Sequence, residues 1–155
     1  PISLANFVIC LTAWLLGPKF GTLSVVIYLV LGAIGIPVFS GYGAGLAKLA
    51  GPTGGYLVGY LLLAFIGGMF IEKSKGSPVI SAVGLVLGDA ACYVLGTAWF
   101  VFQMQCELGY ALTVCVYPFI ALDLGKIVVS CIVGALLRKR LTQAGVLKLQ
   151  NAVSE

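Results

Sequence analysis

A chain of 155 residues that is 61% hydrophobic and only 9% charged stands far from the roughly 25% charged composition of soluble domains, which excludes a soluble fold and predicts helices packed in a bilayer. Nine Lys and Arg against five acids give a net charge of +4, but the basic residues lie in short segments between apolar runs, a pattern that orients a membrane protein and speaks against nucleic-acid binding. At about 20 apolar residues per crossing, the length allows five or six helices in a single domain.

The chain opens on Pro1 and enters an apolar run at once, without the basic leader or small-residue cleavage pattern of a signal peptide, so a segment is expected ahead of residue 1. Apolar runs separated by Gly, Pro and Lys predict an all-α bundle of five spans. The first covers residues 2–17, short for a crossing, and ends at the breaker Gly17-Pro18-Lys19. The second covers 20–36. It is followed by Pro37-Val38-Phe39-Ser40-Gly41-Tyr42-Gly43-Ala44-Gly45, where the glycine spacing predicts a tightly turned, non-helical loop. The third span, 54–71, stops at the charged turn Glu72-Lys73-Ser74-Lys75-Gly76-Ser77-Pro78. The fourth is 79–102, and the fifth, 111–137, ends in Arg138-Lys139-Arg140. Residues 1–140 are thus expected to form a transmembrane substrate-binding bundle, and 141–155 a short cytoplasmic tail.

Five spans place Lys19, Lys73, Lys75, Arg138, Lys139 and Arg140 on one side and Lys48 on the other. The positive-inside rule then puts the C-terminus in the cytoplasm and the glycine-rich loop, 37–53, outside. An N-terminus also outside is awkward without a signal peptide, and one more helix upstream removes the difficulty. Gly55 with Gly59, Ala64 with Gly68 and Gly84 with Gly88 each share a helix face, a spacing that suits close packing between membrane helices, within the chain or against a partner.

Ionisable groups in the apolar spans are the best functional pointers, because each must be paired or face water. Asp123 and Lys126 lie three apart, at salt-bridge distance on one face of the last span. The pair offers an acceptor for N–H groups beside a cation, or it only fixes helix packing. Asp89 has no cation near it in sequence. It faces a cavity, meets a lysine, is protonated, or bonds to backbone or Tyr93. In the outer loop, Phe39, Tyr42, Lys48 and Tyr56 surround Gly51-Pro52-Thr53-Gly54-Gly55, a grouping of rings over a glycine wall suited to a small-molecule pocket. Lys48 either attracts an anion there or stays in water.

Enzyme chemistry is not expected. The chain has no histidine, so Ser40 lacks the usual base, and Gly51-Pro52-Thr53-Gly54-Gly55-Tyr56 lacks the Lys and Ser/Thr of a phosphate loop. Five cysteines (Cys10, Cys92, Cys106, Cys115, Cys131) include no CxxC, so no metal site or cofactor is expected. They read as small apolar residues, with Cys106 and Cys115 flanking an outer loop.

Gly35-Ile36-Pro37-Val38-Phe39-Ser40-Gly41-Tyr42-Gly43-Ala44-Gly45, followed by Gly51-Pro52-Thr53-Gly54-Gly55-Tyr56-Leu57-Val58-Gly59-Tyr60, resembles the signature of the BioY family, the biotin-binding S-components of energy-coupling factor (ECF) transporters. Pro1-Ile2-Ser3-Leu4 ahead of Gly17-Pro18-Lys19-Phe20-Gly21, Tyr93-x-x-Gly96-x-x-Trp99, and Pro118-Phe119 leading to Asp123-Leu124-Gly125-Lys126 agree with it, so that the resemblance covers about residues 1–140. It implies a plasma-membrane protein for biotin uptake, with a transmembrane T-component and two ATPase subunits as partners. It also implies six spans in the family, the first of which is absent here. Asp123 and Lys126 match the family's Asp-x-x-Lys, which contributes to the biotin site, and the outer loop closes over it. Gly41-Tyr42 stands where family loops usually carry two glycines. The candidate binding residues are Asp123, Lys126, Phe39, Ser40, Gly41, Gly43, Tyr56 and Asp89. A stand-alone vitamin facilitator and a structural membrane subunit with no transport role are the alternatives.

Overall fold

The computed structural model describes residues 4–146, and among them it is all-α apart from one isolated bridge. Its helices are α1 (Ala5–Ala33), α2 (Leu46–Ala50), α3 (Gly54–Lys73), α4 (Pro78–Met104), α5 (Leu108–Cys115) and α6 (Tyr117–Gln143), with a single 3-10 turn at Ser40–Tyr42. Residues 1–3 and the end of the expected tail lie outside the described residues.

Gly17 shapes the first element. Its φ of 73° and ψ of −172° are essentially accessible to glycine alone, and Pro18 after it has no N–H with which to continue the ladder. The two arms of α1, residues 5–16 and 18–33, therefore fold against each other. A Cβ on Gly21 would lie 3.5 Å from the Cα of Ala13, whereas eight residues along an unbroken helix are about 12 Å apart. The first arm reaches only about 18 Å at 1.5 Å per residue, short of a hydrocarbon core about 30 Å thick.

Four helices among the described residues are long and apolar enough to cross a membrane: α1, α3, α4 and α6. The sequence predicted five, dividing α1 at Gly17 into two spans; the break is there, but the four-helix count takes the bent helix as one. The predicted last span differs more. Val116, at φ −116° and ψ −62°, separates α5 from α6, and Pro118 in the first turn of α6 cannot donate backward. The helix also runs on to Gln143, so Arg138, Lys139 and Arg140 occupy its last turns rather than a loop.

Small residues bring these helices together, as close packing in lipid requires. Gly84 and Gly88 on α4 meet Phe70 and Leu63 on α3, while Gly55 and Gly59 on α3 meet Trp99 and Cys92 on α4. Gly68 sits against Pro18 at the turn of α1, and Gly134 on α6 accommodates the ring of Trp14. The glycine pairs legible in the sequence thus pack inside the chain. Trp14, Leu63, Ile71, Leu85 and Ile127 fill the core, and large apolar side chains such as Ile27, Val83, Val128 and Ile132 cover the outside.

Candidate functional site

The loop between α1 and α3 is folded by its glycines. Phe39 is 2% exposed, with its ring over Gly32, where any side chain would collide with it, and edge-on to Tyr28 at 5.4 Å. Phe39 and Gly43 exchange backbone hydrogen bonds of 3.0 and 3.2 Å, which close a turn through Gly41 and Tyr42, both at positive φ (71° and 57°). Tyr42 lies on the outside, and its left-handed backbone costs about 1–2 kcal/mol, because Cβ crowds the following carbonyl. The far leg is tied to α4. Trp99 Nε1 donates to Gly51 O at 2.9 Å and Gln103 Nε2 to Ala50 O at 2.6 Å.

Beneath this loop lies a cavity of about 410 Å³, walled by α1, α3, α4, α5 and α6. Of the eight residues picked from sequence, Phe39, Ser40, Tyr56, Asp89, Asp123 and Lys126 line it. Gly41 and Gly43 do not. They act on the turn, and Gly43 leaves room for the methylenes of Lys48, which would lie 3.2 Å from a Cβ there. Lys48 lines the cavity as well, which favours the anion-attracting alternative over a side chain held only in water.

The polar groups form two clusters. Lys126 Nζ donates to Asp123 Oδ1 at 2.9 Å, with both side chains largely withdrawn from solvent, and the hydroxyl of Tyr93 donates to the other oxygen of Asp123. Asp89 accepts from Asn6 Nδ2 at 2.8 Å. Of the alternatives the sequence left for Asp89, it faces the cavity; Tyr93 and backbone are not its partners among the described residues, since the bond comes from a residue 83 positions away, while Tyr93 turns to α6. Around these clusters stand Tyr56, Tyr60, Phe100 and Phe119. The Tyr56 hydroxyl is held by Thr97 Oγ1 at 2.9 Å, and its ring is edge-on to Tyr93 at 6.4 Å. Cys106 and Cys115 are both free thiols.

Sequence reasoning missed Asn6, Tyr60, Phe100 and the role of Tyr93. Helical spacing held a signal for two of them, Tyr93 and Phe100. Asp89, Tyr93, Gly96 and Phe100 fall on one stripe of α4, and Phe119, Asp123 and Lys126 on one stripe of α6. Asn6 is marked only as the lone amide of an apolar arm. Apolar, aromatic walls with a few convergent hydrogen-bonding groups are the usual construction of a small-molecule site. This one suits a compact ring carrying both N–H donors and an acceptor.

The family model for the BioY family matches residues 1–143. A biotin transporter BioY of Thermotoga maritima is 40% identical over 139 residues, 90% of this chain and 81% of the relative. A probable biotin transporter BioY of Pyrococcus horikoshii is 36% identical over 133 residues, 86% of this chain and 77% of that protein. Among solved structures, the crystal structure of the S-component for biotin from an ECF-type ABC transporter superposes with a TM-score of 0.83 at 34% identity, covering 90% of this chain and 76% of that one.

Proposed function

Because the chain belongs to the BioY family, we propose that it captures biotin in the cavity beneath its glycine-rich loop, as the substrate-binding component of an ECF-type uptake system. The observation that carries this reading is the Asp123–Lys126 pair, set into an aromatic cavity at membrane depth. An intramembrane ion pair that only braced two helices would lie between them; this one sits on a single helix and lines the cavity, where it can serve a ligand. Asp123 accepts a ureido N–H of biotin, the aromatic walls enclose the fused rings, and the turn held by Phe39 and Gly43 closes the entrance.

The chain is a multi-pass membrane protein. In the proposed orientation the loop at 37–53 faces outward and the C-terminus inward. Gly68 against Pro18 and Arg138 reaching the Trp14 carbonyl support it, because they gather the basic bend of α1 and the basic ends of α3 and α6 together. Within this reading the chain catalyses no reaction, and energy for accumulation comes from a T-component and two ATPase subunits. Uptake of labelled biotin by a host lacking its own biotin transporter is the test. Expression with the partner subunits is expected to give saturable uptake that Lys126→Ala abolishes. Uptake of the same rate without the subunits would indicate a stand-alone facilitator, and none in either case would overturn the proposal.

A further inference from the structure

The Asn6–Asp89 cluster remains without a role in this account. Both side chains line the cavity, both are more than nine-tenths buried, at 6% and 7% exposure, and they connect α1 to α4 through one hydrogen bond. Asp89 enters no ion pair among the described residues. A carboxylate can accept about four hydrogen bonds and a side-chain amide donates two, so acceptor capacity on Asp89 and one N–H of Asn6 are left beside each other. Tyr93, one turn from Asp89 along α4, holds Asp123, and both carboxyl groups line the same cavity.

A cyclic urea carries two N–H donors on either side of one carbonyl acceptor. Two carboxylates and an amide N–H lining one cavity supply the acceptors and the donor it needs, and Asp123 alone can meet only one side. Charge points the same way. Two carboxylates against the single ammonium of Lys126 make this end of the cavity unfavourable for an anion, and the other cation lining it is Lys48 on α2.

Resting on the biotin reading above, we propose that Asn6 and Asp89 form a second ligand subsite, which takes the other N–H and the carbonyl of the urea ring and turns the ligand's carboxylate toward Lys48. Equilibrium binding to the purified full chain tests it with three probes: biotin, 2-iminobiotin, whose guanidinium adds a positive charge in place of the urea, and biotinamide, which lacks the carboxylate. Asp89→Asn is expected to weaken biotin about tenfold or more, and 2-iminobiotin by a larger factor still, because a charge-assisted bond is lost. Lys48→Met, on the short exposed helix, is expected to weaken biotin severalfold and leave biotinamide unchanged. A purely structural Asp89 would weaken biotin and 2-iminobiotin by the same factor, and that result overturns the proposal. So does a biotin affinity that moves less than twofold in both variants. If Asp89→Asn fails to fold, the Lys48→Met comparison decides alone. A wild-type chain that binds none of the probes defeats the functional reading itself, an outcome distinct from normal binding by the variants.

Discussion

Asp123 carries two bonds on one carboxylate, from Lys126 on its own helix and from Tyr93 on α4, so it braces the cavity as well as facing it. Removing only one member of a buried pair leaves an uncompensated charge, whereas removing both can be nearly neutral. Lys126→Met alone is therefore expected to destabilise the chain by about 3 kcal/mol, and Asp123→Asn together with Lys126→Met to recover most of that loss. Thermal unfolding in detergent of the two single variants and the double variant measures it. Equal, additive losses would mean that the two side chains do not act as a pair. The sequence revealed this pair because it is local, three residues apart on one helix. It did not reveal that Asp89 meets Asn6, since a contact across 83 positions depends on the return of the first arm of α1 to α4, which no local pattern encodes.

At the level of elements, the apolar runs located the long helices and the glycine loop, and Gly17-Pro18 marked a true break. The second break, at Val116, was hidden because no glycine signals it; Pro118, compatible with helix interior and helix start alike by pattern, was the only cue. Glycines also decide how far the walls stand apart. Gly96 on α4 faces the ring of Tyr56, and a Cβ there would come within 2.3 Å of it. Gly96→Ala is expected to push Tyr56 off Thr97 and into the cavity, with an overpacking cost of about 1–3 kcal/mol and weaker ligand binding. Biotin titration of Gly96→Ala, with Gly109→Ala as a control at a position open on every side, checks this. Equal affinities in the two variants would show that the Tyr56 wall does not contact the ligand.

Taken whole, the molecule is a bundle whose outer surface is largely apolar, with the cavity beneath the glycine-rich loop and lined by Lys48 and Lys126. The claim on which the rest depends is that the cavity binds biotin through its polar end. Calorimetric titration of biotin into the purified, detergent-solubilised wild-type chain, beside the Asp123→Asn/Lys126→Met double variant, tests it most directly. Saturable sub-micromolar binding by the wild type and at least a hundredfold weaker binding by the folded double variant, about 2.7 kcal/mol, is the predicted result. Undiminished binding by that variant, or no binding by a folded wild-type chain, would contradict the account.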